Sequence, residues 1–291
     1  MLTKNELKVL WRKAGFRPLK RMGQNFLIDK NVKDKILRNV KIGPDDTVLE
    51  IGPGFGEMTS GLAERAKRVV AVEKDKKIAG CLKKDIKLPG NVSLIEGDFL
   101  EVDIKKLAAE KKIIVYGNLP YYATTPILER LFNNITRLKN IYLIVQREVA
   151  RRIAARPGSK EIGRLSMYAQ YYTDPGKAFT IFRGCFYPVP KVESVFLNLE
   201  IPGEKKITVK NEKLLFKVIK TAYGQRRKTV LNSLAKLGIE KKMLLPLMKS
   251  AGINPRSRPE EISLQEFACL TRAMAGGRKT EKYPGGGASL N

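Results

Sequence analysis

The sequence predicts an α/β protein built on a mostly parallel sheet, followed by a small all-α domain. Short apolar runs alternate with helical stretches between Thr47 and Val145, and beyond about residue 210 the spacing becomes helical throughout. Apolar strands separated by helices are the pattern of a parallel sheet covered on both faces. At 291 residues the chain can bury one sizeable core and a smaller second one.

The elements follow in order. Residues 1 to about 40 read as basic and helical, interrupted at Gly15-Phe16-Arg17-Pro18 and at Gly23-Gln24-Asn25-Phe26-Leu27. Val48–Ile51 is a strand, followed by a glycine loop and a helix from Met58 to Arg65. Arg68–Glu73 is the second strand, Asp75–Lys84 the next helix, and Val92–Asp98 the third strand. Ile113–Tyr116 is the fourth, leading through Asn118-Leu119-Pro120-Tyr121 into a helix over Pro126–Phe132, and Ile141–Val145 is the fifth. After about residue 150 comes a basic helix end with an exposed loop (Arg151 to Lys160), then a late alternating strand at Val192–Leu199 and a linker at Ile201–Lys206. Residues from about 210 to 275 are helical with breaks at Gly238, Gly252 and Pro255, and the glycine-rich stretch from Gly276 to Asn291 has a disordered composition.

Charge and composition narrow the function. There are 56 Lys and Arg against 29 Asp and Glu, a net charge of +27. Such an excess calls for a polyanionic partner, most simply nucleic acid. No basic amphipathic helix stands out as a membrane anchor. Histidine is absent, which excludes Ser-His-Asp and Cys-His catalysis and imidazole metal sites. Cys81, Cys185 and Cys269 are odd in number and far apart, so neither a metal knuckle nor a disulfide framework is readable, and no metal is expected. With no apolar run of membrane-spanning length and no apolar signal core at the N-terminus, the expected location is the cytoplasm.

Four features fall at successive strand ends, where α/β sheets bind ligands. Gly52-x-Gly54-x-Gly56 supplies a tight turn and close backbone approach, but not the GxGxxG spacing of a pyrophosphate cradle. Glu73, 21 residues beyond Gly52, can accept both hydroxyls of a ribose. Asp98 can accept from an exocyclic adenine amine, with Phe99 packing on the ring. Asn118-Leu119-Pro120-Tyr121 offers amide and carbonyl acceptors held stiffly by proline beside an aromatic face, equipment for gripping an amine-bearing ring.

With these motifs the chain resembles the class I, Rossmann-like S-adenosylmethionine-dependent methyltransferases, and more narrowly the ribosomal RNA adenine N6,N6-dimethyltransferase family. The resemblance rests on Gly23–Leu27, Glu50–Gly56, Glu73, Gly97-Asp98, Asn118–Tyr121 with Thr124-Thr125-Pro126, Phe186–Ser194, Gln225–Leu234 and Arg258–Ser263, and covers roughly residues 20 to 272. It implies S-adenosyl-L-methionine as cofactor, held by Gln24, Asn25, Leu27, Gly52, Gly54, Glu73, Lys74, Asp98, Phe99 and Asn118. Asn118, Leu119, Pro120 and Tyr121 would form the transfer site, with Phe186 closing the other face of the target base. Arg147, Arg151, Arg152, Arg226, Arg227 and Lys228 are the candidates for RNA phosphates. The implied layout is a methyltransferase domain over 1–202, a helical RNA- or ribosome-binding domain over 207–275 and a tail over 276–291. The implied partner is small-subunit rRNA in an immature 30S-type subunit, met by a monomer. Two rivals stand beside this one: a large-subunit methyltransferase of the macrolide-resistance type, against which Leu119 and the Arg226–Asn232 stretch speak, and a non-catalytic assembly factor, which would have lost cofactor residues.

Overall fold

The computed structural model describes residues 2–18, 23–120, 122–176, 179–204, 206–225 and 227–276. They divide into two compact units. One holds the residues up to Ala154 together with Tyr168–Glu204; the other holds Ala155–Met167 together with the chain beyond Glu204. The sequence reading keeps 155–167 with the first domain. The structure groups that segment with the helical unit, where the Gly158 amide donates to the Glu260 carbonyl at 2.7 Å. The glycine-rich stretch past Gly276 lies outside the described residues.

The first unit contains ten strands among its described residues: β1 (Phe26–Leu27), β2 (Thr47–Ile51), β3 (Arg68–Glu73), β4 (Val92–Glu96), β5 (Ile113–Asn118), β6 (Leu138–Gln146), β7 (Asp174–Pro175), β8 (Phe179–Ile181), β9 (Phe186–Tyr187) and β10 (Ser194–Glu200). The main sheet runs β4-β3-β2-β5-β6-β10-β7, with β8 also paired to β10. The first five strands in this order are parallel, and β10 is antiparallel to β6. β2, β3, β5 and β6 are almost wholly buried, as unbroken apolar runs covered on both faces must be, while the edge strand β4 is half-buried. The sequence reading ends the fourth strand at Tyr116; the structure carries it on to Asn118, so that residue sits on sheet, not on a loop.

Its helices are α1 (Lys4–Lys13), α2 (Lys30–Asn39), α3 (Thr59–Ala63), α4 (Lys76–Lys84), α5 (Ile104–Leu107), α6 (Thr124–Asn133) and α7 (Arg147–Ile153), with α8 (Arg164–Tyr172) running across the boundary between the units. α1 starts on a capping box: the Thr3 hydroxyl accepts from the Glu6 amide, and the Glu6 carboxylate accepts from the Thr3 amide. It buries Leu7 and Trp11 with Phe16 against Phe55 and against Ile78, Cys81 and Leu82 of α4. A second cluster packs α2 and α3 against Val48, Ile114, Tyr142, Ile144 and Phe196 of the sheet. The short β1–β9 pair, with Leu27 opposite Phe186, is not foreseen from sequence because two-residue strands carry no period.

The second unit has α9 (Glu212–Tyr223), α10 (Val230–Leu234), α11 (Lys241–Ser250) and α12 (Leu264–Gly276), which lie against one another and fully bury Leu215, Ile219, Leu234, Leu244, Met248, Phe267 and Leu270. No helix among the described residues is long and apolar enough to cross a membrane.

Gly117 on β5 lies opposite Ile51 on β2, and a Cβ there would stand 3.1 Å from the Ile51 Cβ and 3.2 Å from its carbonyl oxygen. Gly117→Ala should therefore push the two central strands apart and cost about 1–3 kcal/mol. Gly80 lies within α4, and a methyl group added there would meet no atom within 4 Å, so Gly80→Ala should stabilise by about 0.5–1 kcal/mol. Urea-unfolding midpoints moving in opposite directions check both.

Candidate active site

The chain leaves β2 for β3 and β4 on one side, then returns to β5 on the other side of β2. The loops after β2 and β5 therefore diverge, and a crevice opens outside their carboxyl ends. A cavity of about 590 Å³ occupies this place, lined by the glycine loop, by residues 72–76, by Gly97–Leu100, by Asn118, Pro120 and Tyr122, and by Gly23–Leu27 with Leu7 above.

The glycine loop needs its glycines. Gly52, Gly54 and Gly56 have φ of +69°, +58° and +80°, in the left-handed region that side chains resist. A Cβ on Gly54 would also stand 3.1 Å from the Phe26 ring. The Gly54 amide donates to Glu73 Oε2 at 3.2 Å and the Asp75 amide to Oε1 at 2.8 Å, which fixes the carboxylate at the end of β3. Burial pushes the Glu73 carboxyl up to about 7 despite these two amides. Asp98, after β4, accepts from Lys74 Nζ at 2.6 Å and from the Leu100 amide at 2.9 Å. Burial works to raise its carboxyl, but Lys74 and that amide hold it below the usual value. Each Asp98 oxygen keeps a lone pair for a further donor.

Asn118 ends β5. Its Nδ2 donates to the Asn25 carbonyl at 3.1 Å, which leaves Oδ1 as the acceptor. The Leu119 amide donates to the Ile144 carbonyl at 3.0 Å, and the Leu119 side chain is buried. The Pro120 carbonyl is taken up by the Ala123 amide and the Thr124 hydroxyl, each at 3.1 Å, where α6 begins. Of the two backbone acceptors the sequence offers, Leu119 is thus the one that no donor reaches among the described residues.

Gln24, Asn25, Leu27, Gly52, Gly54, Glu73, Lys74, Asp98, Phe99, Asn118 and Pro120 come together on one cavity wall. Tyr121 lies outside the described residues. Phe186 is 1% exposed and packs in the core cluster with Leu27, Met58, Tyr116 and Ile144, four residues that line the cavity, while Phe186 is not itself part of the lining. Among the described residues the exposed aromatic on the wall is Tyr122, half exposed and missed from sequence although it stands directly after the tetrapeptide. Arg147, Arg151 and Arg152 lie exposed on α7, with Arg147 paired to Glu193 at 2.7 Å and Arg152 to Glu148 at 2.5 Å. Arg227 and Lys228 are exposed in the second unit, and Arg226 lies outside the described residues.

Three further groups on the wall have a buried oxygen without a hydrogen-bond partner: Glu50 Oε2, Glu57 Oε2 and the Tyr116 hydroxyl. The signal for Glu50 was legible, since an acid inside the apolar run Val48–Ile51 cannot face water from a covered sheet. Burial pushes its carboxyl up to about 7; the Thr59 hydroxyl beside it opposes the shift and the Glu73 charge adds to it. Orphaned acceptors next to a buried carboxylate call for a ligand that brings donors and positive charge.

A parallel sheet with one reversed strand, a glycine loop after its first strand and an acid ending the next define a class I, Rossmann-like methyltransferase. The cavity fits S-adenosylmethionine, the cofactor of that class: Glu73 matches a ribose diol, and the Glu50 and Glu57 oxygens match an ammonium. The family described as ribosomal RNA adenine dimethylase matches residues 15–275, and the chain belongs to it. It is 42% identical to the ribosomal RNA small subunit methyltransferase A of Moorella thermoacetica over 91% of this chain and 95% of that one. It is 41% identical to the protein of the same name from Pelotomaculum thermopropionicum, over 94% and 97%. Among solved structures, a dimethyladenosine transferase from Plasmodium falciparum superposes with a TM-score of 0.69 at 25% identity, covering 84% of this chain and 95% of that one. The 23S rRNA methyltransferase ErmE shares the fold, with a TM-score of 0.67 at 21% identity over 86% and 99%.

The raised carboxyls set a pH dependence for the ligand-free protein. Glu50 titrates near 4.5 when unfolded and about 7 when folded. Between those values the folded state holds a proton that the unfolded state has lost, so stability falls as pH rises from about 5 to 7 and levels off above. Glu50→Gln should match the parent at pH 5 and exceed it at pH 7.5, by on the order of 3 kcal/mol. Urea unfolding at the two pH values measures it.

Proposed function

We propose that this protein transfers methyl groups from S-adenosylmethionine to N6 of two adjacent adenosines near the 3′ end of small-subunit rRNA, dimethylating each. The observation that carries the reading is Asn118, fixed by Asn25 on the wall of the cofactor cavity with its acceptor oxygen unspent. The names of the relatives at about 40% identity support the small subunit as target.

An exocyclic adenine amine is a poor nucleophile because its lone pair is delocalised into the ring. Asn118 Oδ1 and the Leu119 carbonyl accept its two N–H groups and draw the nitrogen towards a pyramid, which returns the lone pair to nitrogen. S-adenosylmethionine, when bound, supplies a methyl group on a sulfonium. The protein then contributes position and fixed dipoles, and needs no general base; the lost proton passes to water. The adenosine must leave its stack to reach the cavity, and Tyr122 on the wall offers a face for it. The basic helix α7 and Arg227 and Lys228 hold the RNA backbone, the second unit serving as an RNA- or ribosome-binding domain. The enzyme works as a monomer on the immature subunit in the cytoplasm.

Undermethylated small and large subunits incubated with labelled S-adenosylmethionine test the target. Label in the small subunit is expected; label in the large subunit alone overturns the reading, and none in either points to a pure binding role. Asn118→Ala should lower transfer by about 100-fold or more while RNA binding stays near the parent's. A variant with full activity removes Asn118 from the mechanism.

A further inference from the structure

A second groove, of about 920 Å³, runs between α1 with the turn after it and the start of α4. We propose that it binds phosphodiester backbone of the RNA substrate, an extension that rests on the RNA reading above.

Its wall is strongly and unequally charged. Lys8, Arg12 and Arg17 come from the N-terminal segment, and Lys76 and Lys77 from α4, all of them exposed. Lys8 and Arg12 are four apart and share a helix face. The one carboxylate on the wall is Asp75, which is already engaged: Oδ1 accepts from the Lys77 and Ile78 amides and Oδ2 from Gln24 Nε2 at 3.1 Å. Among the described residues none of the five cations makes an ion pair; Lys77 Nζ donates to the Gly15 carbonyl at 2.7 Å, and Lys8 lies 5.8 Å from the centre of the Tyr187 ring. On α7, by contrast, Arg147 and Arg152 are neutralised by Glu193 and Glu148. Five cations against one carboxylate leave a net positive concavity, and a polyanion relieves the repulsion among them while releasing its own counterions.

The wall also holds Trp11, 8% exposed, whose indole N–H has no hydrogen-bond partner. Trp11 stacks on Tyr187 with ring centres 5.2 Å apart, so the cations stand on a wall backed by packed aromatic rings. Asp75 and Lys76 line both this groove and the cofactor cavity, so RNA held here lies against the catalytic crevice.

Trp11 is the single tryptophan of the chain, so tryptophan emission comes from one residue on the wall of this groove. The intact protein is titrated with a protein-free transcript of the 3′ end of small-subunit rRNA, following Trp11 emission and, separately, filter retention across a salt series. We expect emission to change and saturate with binding. In Arg12→Ala/Arg17→Ala the affinity should fall by about 10-fold and the slope of log K against log salt should flatten by about 1 to 2. Cofactor affinity should be unchanged, since neither residue lines that cavity. RNA retained without a change in emission, or a double variant with the parent's affinity and slope, overturns the groove and leaves the methylation reading standing. Emission that responds to RNA in a protein that transfers no methyl group does the reverse. A parent that retains no RNA overturns the groove, and so does emission that responds to anionic vesicles but not to RNA.

Discussion

Everything at the site depends on the parallel pairing of β2 with β5 at the point where the order of the sheet reverses. Ile51 faces Gly117, and a Cβ on Gly52 would lie 3.9 Å from the Asn118 carbonyl oxygen, so the glycine loop and the transfer tetrapeptide leave the sheet side by side. Two segments more than 60 residues apart in sequence thereby share one cavity. The absence of a side chain at Gly117 is what lets the strands approach so closely next to a functional residue. β6 completes the arrangement, because its Ile144 carbonyl takes the Leu119 amide and keeps the tetrapeptide on the sheet plane.

The N-terminal segment closes the cavity from above. It is pinned by the β1–β9 pair, by the Asn118–Asn25 hydrogen bond and by an aromatic cluster in which Trp11 meets Phe16, Phe26 and Tyr187, and Phe55 meets Phe16 and Phe26. Phe55 belongs to the glycine loop itself, so the roof packs directly on the loop it covers. Edge and tilted ring contacts of this kind hold orientation as well as area. Phe186 and Tyr187 divide the work of β9: one ring faces the sheet core, the other the roof.

Electrostatically the molecule keeps two fields apart. The chain carries +27 overall, yet the cavity is walled by the buried acids Glu50 and Glu73 and the half-buried Glu57. Burial makes the Glu50 and Glu73 carboxyls reluctant to ionise alone, and donors or positive charge from a ligand restore the ionised form. A cationic cofactor and a polyanionic substrate are therefore drawn to different places on one protein: the acids act at short range inside the cavity, and the exposed lysines and arginines act at the surface within about a Debye length.

Much of this was legible in the residues. The apolar runs and their spacing determined the strands, and the motif positions at strand ends determined which residues line the cavity, because covered parallel strands and left-handed glycine turns leave few sequence alternatives. Leu119, Phe186 and Tyr122 were decided only by tertiary structure. Leu119 reads as part of the transfer site, and the structure buries its side chain and leaves its carbonyl open. Phe186 reads as a clamp, and the structure buries its ring among Leu27, Met58, Tyr116 and Ile144, which line the cavity. The engagement of the Pro120 carbonyl by α6, the grouping of 155–167 with the helical unit, and the groove beside α4 likewise depend on contacts between distant segments. Sequence determined which groups this protein has and at which strand ends they stand, since those follow from local period and turn chemistry. Which way each group faces, and which partner already claims its hydrogen bonds, was decided by packing alone.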